Sequence, residues 1–204
     1  MAGLAIRPLL PAVPWFLAAA LIGWLAMSGL SAGFDHTLLH ALAPRPGGEL
    51  WLGLMYAMTE AASILPRVLM ILLAATILAA RGRPAAAGML ILTCASGALL
   101  VEAIKDLVRR PRPAILPHLD NVNSFSFPSA HASNATIVFV SIALLFAAPR
   151  HRTMTLAFAG TIALLTGISR VVLAVHWPTD VLAGWCIGIG WIILCFGIAG
   201  RRLT

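Results

Sequence analysis

Two histidines and several cations stand in three short stretches of this 204-residue chain, each beside a long apolar run. The stretches are KDLVRRPRP (105–113), FPSAHASN (127–134) and SRVVLAVHWPTD (169–180). Together they match the needs of phosphoryl transfer, which requires stabilised negative charge, a nucleophile and a proton for the leaving oxygen. The sequence contains no Walker loop and no aspartate-rich magnesium motif, so the predicted chemistry does not draw its energy from a nucleotide.

The first stretch holds Lys105, the only lysine of the chain. Pro111 and Pro113 cannot continue a helix, so we predict that a helix ends near residues 109–110. Arg112 would then follow on extended chain and reach back over the helix ends. A single lysine at a helix end is also typical of snorkelling, in which the ammonium group only reaches toward lipid headgroups.

The second stretch predicts the start of a helix, with Pro128 in its first turn. The free N–H groups and the dipole of such a helix start attract phosphate. Ser129 adds a hydroxyl group and His131 adds a titratable ring. Simple capping of the helix by Ser129, with His131 at the membrane interface, explains the same residues without a ligand.

The third stretch places His176 and Asp180 four residues apart, a spacing that brings both side chains together on a helical turn. A carboxylate on one ring nitrogen fixes the imidazole tautomer and makes the other nitrogen a better nucleophile. A surface salt bridge and a zinc site are the alternatives. A metal is disfavoured because the cationic neighbours repel it and the sequence lacks an HExxH motif or a cysteine cluster.

The chain has 60% hydrophobic and 10% charged residues, and so carries more apolar surface than a soluble domain of this size can bury. We predict an all-α, polytopic membrane protein with six transmembrane helices in one bundle and the active site at their outer ends. We expect residues 1–204 to form a single integral-membrane domain, with the motifs in 105–180. We also expect the first apolar run to stay in the protein as a membrane span, because it lacks the cleavage site of a signal peptide. The predicted spans are about 14–32, 63–80, 85–104, 131–148, 154–173 and 180–200.

The basic residues predict the orientation in the membrane. One set of helix ends carries arginines without acids, and the acidic residues lie toward the opposite ends. By the positive-inside rule both termini are cytoplasmic and the site is periplasmic or extracellular. The arginine-rich, alanine-rich composition indicates a bacterial inner membrane. The net charge of +7 does not point to nucleic acid, because the basic residues lie at the ends of the predicted membrane spans. The arginines are Arg7, Arg81, Arg83, Arg150, Arg152, Arg201 and Arg202.

The three stretches resemble the motifs of the type-2 phosphatidic-acid phosphatase superfamily, the membrane lipid-phosphate phosphatases related to vanadium haloperoxidases. The family pattern is K-x6-RP, then PSGH, then SR-x5-H-x3-D. The matching residues here are Lys105 with Arg112 and Pro113, then Pro128, Ser129, Ala130 and His131, then Ser169, Arg170, His176 and Asp180. Order and spacing agree throughout 105–180, and the six-span scaffold extends the resemblance to most of the chain.

The resemblance implies a role for each motif residue. His176 attacks phosphorus and becomes a phosphohistidine, Asp180 orients it, and His131 protonates the leaving lipid oxygen and then helps to activate water. The phosphate oxygens are bound by Lys105, Arg112, Ser129, Arg170 and the N–H of Ala130. The family uses no metal or other cofactor. Ala130 replaces the family's glycine, which would cost roughly 1–2 kcal/mol of strain if the position required a positive φ.

The implied substrate is a membrane lipid of the phosphatidate, phosphatidylglycerol phosphate or prenyl diphosphate class, which places the protein in phospholipid metabolism. We expect the loop 114–126 to select among these lipids, with His118 and Asp120 as candidate residues. Phe127 and Trp177 are candidates for the lipid entrance, although anchoring at the interface explains them equally well.

Two other functions are alternatives. Glu60, Arg67 and Glu102 are charged residues in or near spans, as in an anion transporter, but they lie toward the outer ends and no paired broken helices appear. A catalytically inactive lipid-binding protein is disfavoured by the complete set of catalytic residues. Glu60 and Arg67 are also expected to pair on one helix face. The segment GWCIG (184–188) fits packing within the bundle or a dimer contact, so the chain is predicted to be a monomer or a weak homodimer.

Overall fold

The computed structural model describes residues 10–199, which contain eight α-helices, a short 3-10 turn at Pro149–His151 and no strand. The all-α prediction is confirmed. The helices are α1 Val13–Met27, α2 Ala32–Leu42, α3 Glu49–Ala61, α4 Ile64–Ala80, α5 Pro84–Val108, α6 Ala130–Phe146, α7 Arg152–Val172 and α8 Pro178–Ala199.

Three helices of the described chain are long and apolar enough to cross a membrane, namely α5, α7 with its preceding turn, and α8. The pairs α1–α2 and α3–α4 are bent by 93° and 55°, and the total is up to five if each pair is one span. α6 is apolar but has only 17 residues. A membrane protein is therefore supported, whereas the predicted count of six is not reached by length and composition.

The predicted first span, 14–32, is too long. α1 ends at Met27, because Gly29 takes a positive φ of 80° and turns the chain into α2. The predicted pairing of Glu60 with Arg67 is also wrong, since these residues lie on α3 and α4 on either side of the bend. Arg67 donates instead to the carbonyl of Ala62 at 3.3 Å.

α6 lies at the centre of the bundle and packs against α5, α7 and α8. Small side chains make this possible: a Cβ on Gly184 would lie 2.9 Å from the Ser129 carbonyl oxygen, and one on Gly188 would lie 2.7 Å from the Cβ of Thr136. The GWCIG segment is therefore used for packing inside the bundle.

The helix directions gather the motif residues at one end of the bundle, where α4 and α6 begin and α5 and α7 end. The connections 81–83 and 147–151 lie at the other end and carry Arg81, Arg83 and Arg150, and Arg152 follows there as the first residue of α7. Arg7, Arg201 and Arg202 lie outside the described residues. Which membrane face each end meets stays a prediction.

α5 ends at Val108, as predicted, and Arg109 follows in the left-handed region with a φ of 51°. The chain from there to α6 folds over the helix ends. Leu119 fixes this loop, since its N–H donates to the Leu173 carbonyl at 3.0 Å and its carbonyl accepts from the Tyr56 hydroxyl at 2.6 Å.

Candidate active site

The ends of α4–α7 and the loop above them enclose a pocket of about 220 Å³. Six of the eight predicted catalytic and phosphate-binding residues line it: Lys105, Arg112, Ala130, His131, Arg170 and His176. The other two, Ser129 and Asp180, are fully buried behind the lining. Three stretches that are distant in sequence thus meet at one place.

His176 lies between α7 and α8 and is only 2% exposed. Its Nδ1 is 3.5 Å from Oδ2 of Asp180, and its Nε2 is 3.2 Å from Nη1 of Arg112. Burial, reinforced by the charges of neighbouring cations, lowers the pKa of His176 well below its ordinary value of 6.5. The ring is therefore neutral at pH 7, and a proton on Nδ1 beside the carboxylate leaves Nε2 as the nucleophilic nitrogen.

The Asp180 carboxylate is held by three further groups. The Ser126 hydroxyl donates to Oδ2 at 2.5 Å and also lies 3.4 Å from Nδ1 of His176. The Trp177 N–H donates to Oδ2 at 2.9 Å, and Arg110 donates to Oδ1 at 2.5 Å. With both oxygens bonded, the carboxylate has a fixed position behind the imidazole.

Arg110 continues this network to a second buried acid. Its Nη2 donates to Asp35 at 2.8 Å, and Asp35 is 1% exposed. Thr179 donates to Asp35 through both its N–H and its hydroxyl group. Sequence reasoning missed the roles of Arg110, Asp35 and Ser126, since none belongs to the recognised motifs; the one usable signal was an acid, Asp35, in an otherwise apolar segment.

Main-chain carbonyls hold two of the predicted phosphate ligands in place. Lys105 Nζ donates to Phe125 at 2.6 Å, and Arg112 donates to Val175 at 2.5 Å and to Ser124 at 2.8 Å. Burial and the nearby charge of Arg170 lower the pKa of Arg112 to about 10, so it remains charged at neutral pH.

Arg170 is 1% exposed and lines the same pocket. Its Nη1 donates to the Thr59 hydroxyl at 3.1 Å and to Oδ2 of Asp120 at 2.7 Å. Its Nε has no hydrogen-bond partner among the described residues. A buried guanidinium N–H without an acceptor is costly.

At the start of α6, Ser129 acts as the helix cap: its hydroxyl oxygen accepts from the Ala132 N–H at 3.5 Å. Pro128 therefore precedes the cap rather than lying in the first turn. Ala130 is the first helical residue, and the non-glycine residues with positive φ in the described chain are Arg109 and Ala174. The strain considered for Ala130 does not arise.

His131 lines the pocket and makes no side-chain hydrogen bond to any of residues 10–199. The ring is half-buried, so it is held by packing while both nitrogens remain available to a ligand. This geometry suits a group that exchanges a proton with a substrate.

Of the four predicted specificity residues, Asp120 contacts the site through its side chain, which pairs with Arg170. Trp177 contacts it only through its main-chain N–H, which donates to Asp180. His118 bonds to the Pro113 carbonyl at 2.6 Å within its own loop. Trp177 stacks on His36 with a centroid distance of 5.4 Å. Phe127 is buried beside a separate, almost wholly apolar pocket of about 360 Å³ between α1, α5 and α8.

The described part of the chain contains no group of three or more His, Cys, Asp or Glu side chains that could hold a metal ion. The pocket lining contains four cationic side chains and one carboxylate, that of Glu102, a balance that suits an anion. The cations are Arg67, Lys105, Arg112 and Arg170.

Comparisons with known proteins show which proteins this chain is similar to. The chain is 40% identical over 106 residues to phosphatidylglycerophosphatase B of Bacillus subtilis, covering 50% of this chain and 52% of that protein. It is 33% identical over 113 residues to lipid A 1-phosphatase of Rhizobium etli, covering 51% and 46%. These alignments span about half the length of the curated relatives.

The fold is similar to the crystal structure of a transmembrane PAP2-type phosphatidylglycerolphosphate phosphatase from Bacillus subtilis. The TM-score is 0.85 at 29% sequence identity, with 93% of this chain and 96% of that chain covered. The family model described as PAP2 superfamily matches residues 86–203, which is more than half of the sequence and contains all three motif stretches. The chain belongs to the PAP2 superfamily.

Proposed function

We propose that this protein is a lipid-phosphate phosphatase that forms a phosphohistidine on His176. The observation that carries the proposal is the His176 imidazole held between two charged groups, with Nδ1 near Asp180 and Nε2 near Arg112, in a pocket lined mainly by cations. A tetrahedral anion in this pocket would meet the cations and, at the same time, the nucleophilic nitrogen.

The reaction proceeds in two displacements. His176 Nε2 attacks phosphorus, the bond to the lipid oxygen breaks, and His131 supplies the proton that the leaving oxygen takes up. Water then attacks the phosphohistidine, gives a proton to His131 and releases inorganic phosphate. Asp180 stabilises the positive charge that develops on the imidazole in each displacement. No step requires a metal ion.

The relatives' names support a phosphate carried by a membrane lipid. We propose a lipid of the phosphatidate, phosphatidylglycerol phosphate or prenyl diphosphate class. The position of the pocket at the helix ends suits a phosphate at headgroup level while the tail stays in the bilayer. Two of the three charged residues that suggested a transporter, Arg67 and Glu102, line this same pocket, whereas Glu60 does not. They therefore favour an extended binding site over a transport pathway.

The membrane arrangement is part of the proposal. We count α6 as the sixth span, because its 17 residues cover about 25 Å at 1.5 Å per residue. The positive-inside rule supports a site on the extracytoplasmic face of a bacterial inner membrane, with cytoplasmic termini. The glycines of 184–188 pack internally, which supports a monomer as the working unit.

The test is phosphate release from a panel of lipid monophosphates and diphosphates by detergent-purified protein in EDTA. We expect release by the wild type and none above background by His176→Ala. His118→Ala is the matched control, because this histidine bonds within its loop outside the pocket, and it should keep full activity. Release that requires added metal, or that survives in His176→Ala, would contradict the proposal.

A further inference from the structure

Three polar residues on the helices that line the pocket have no part in the proposed reaction: Arg67 on α4, Glu102 on α5 and Asn134 on α6. We call them the inner layer. Glu102 precedes Lys105 by three residues, and Asn134 follows His131 by three. Because α5 runs toward the site and α6 runs away from it, both lie about 4.5 Å deeper in the membrane than the reacting residues. Arg67, the fourth residue of α4, lies at a similar depth.

Two members of the inner layer have at most one protein partner for their polar groups. Arg67 is half-buried, its one hydrogen bond in the described chain is the 3.3 Å contact with a carbonyl, and no carboxylate of residues 10–199 lies within 4.0 Å of it. Asn134 is 4% exposed, and its side chain makes no hydrogen bond to the described residues. Such groups near hydrocarbon are costly unless a ligand satisfies them.

The position of the inner layer relates it to the leaving group. His131 is the proton donor to the leaving oxygen in the proposed reaction, and Asn134 lines the same pocket one turn deeper on the same helix. The atoms attached to the leaving oxygen therefore lie beside Asn134 and Arg67. Bare methylene groups there would leave both side chains unsatisfied, whereas an anionic oxygen would accept hydrogen bonds from both.

We propose that Arg67 and Asn134 bind a second phosphate, carried by the leaving group of the lipid substrate. This inference rests on the proposed function. A lipid diphosphate and a phosphatidylglycerol phosphate both have this chemistry, and they differ in the spacing of their two phosphates. Phosphatidate lacks it. Glu102 lines the same layer and opposes an anion, so it weakens the binding of the second phosphate.

The first experiment compares kcat/KM for phosphatidate, phosphatidylglycerol phosphate and a prenyl diphosphate in the wild type and in Arg67→Gln. We expect kcat/KM to fall at least tenfold more for one or both substrates with a second phosphate than for phosphatidate. This factor corresponds to the loss of one charge-assisted hydrogen bond. Which of the two loses more identifies the spacing that the subsite accepts. Equal losses on all three substrates, or no loss, would overturn the proposal.

Arg109→Gln is the matched control for the loss of one charge at this end of the bundle. Arg109 is exposed, lies outside the pocket, and donates to the Asp106 carbonyl at 2.9 Å. The Arg109→Gln variant should change kcat/KM for the three substrates by the same small factor. A selective loss in this control as large as that of Arg67→Gln would show a general charge effect and refute the subsite.

A binding test makes the inference independent of turnover. In the His176→Ala background, inorganic pyrophosphate should bind more tightly than orthophosphate, by calorimetry. Arg67→Gln should abolish this preference and Glu102→Gln should increase it. If the wild type hydrolyses no lipid phosphate, the proposed function fails, but this test still decides the subsite. An unchanged preference in Arg67→Gln would rule the subsite out.

Discussion

Replacing Asp120 by Asn should tighten the binding of inorganic phosphate, the product and an expected inhibitor. Asp120 accepts a 2.7 Å hydrogen bond from Arg170, which is 1% exposed and is one of the predicted phosphate ligands. Phosphate must therefore compete with this carboxylate for the guanidinium. The asparagine keeps an acceptor oxygen but removes the competing negative charge.

The size of the effect follows from the exposure of the pair. A hydrogen bond to a charged group contributes about 1.5–3 kcal/mol. The Asp120 side chain is 31% exposed, and solvent screening reduces this to about 1 kcal/mol. Phosphate inhibition should therefore strengthen by about fivefold. The free protein should also lose stability, because a buried cation loses its ion pair, and added phosphate should restore it.

The assay is the inhibition constant of phosphate, together with thermal unfolding with and without phosphate. Asp106→Asn is the control, because this exposed acid lies at the same end of α5 but outside the pocket. Unchanged or weaker inhibition in Asp120→Asn would show that the carboxylate orients Arg170 for phosphate rather than competing for it, and would refute the reasoning.

Three further predictions concern stability. Arg110→Gln leaves two buried carboxylates without their shared cation, and should lower the free energy of unfolding by about 3 kcal/mol; a thermal shift no larger than that of an exposed arginine variant would contradict the network. Gly167→Ala places a Cβ 2.4 Å from the Trp185 ring and should cost about 1–3 kcal/mol by unfolding, whereas an unchanged melting temperature would show that α7 and α8 separate easily. Because the pKa of His176 is lowered in the folded state, the unfolded chain takes up a proton on this ring first as pH falls, and the stability of the fold should decline below about pH 6.5. His176→Asn should flatten that decline in thermal melts between pH 5 and 7.5. An identical decline in the variant would refute the lowered pKa.

The relative positions of the motif residues could be predicted because they depend on local spacing. The four-residue interval from His176 to Asp180 and the prolines after Arg110 constrain the backbone over one or two turns. Two observations follow from these local constraints: the 3.5 Å contact between His176 and Asp180, and the end of α5 at Val108. The all-α architecture follows similarly from the length of the apolar runs.

The supporting network could not be predicted, because its partners meet only after folding. Arg110 and Asp35 are 75 residues apart, and their ion pair depends on how the loop crosses the bundle. Hydropathy also misplaced the first span, since an apolar run does not reveal the turn at Gly29. The predicted Glu60–Arg67 pair failed for a related reason: a seven-residue spacing places two residues on one face only if the helix is unbroken.

The most direct test of the central claim is to trap the phosphoenzyme. Purified protein would be mixed with radiolabelled lipid phosphate, quenched in alkali within the first turnover, digested and mapped by mass spectrometry. We predict a phosphoryl group on the peptide that contains His176, stable in alkali and lost in acid, that appears before phosphate release and is missing in His176→Ala. Phosphate release in that first turnover with no label on His176 would contradict a covalent mechanism.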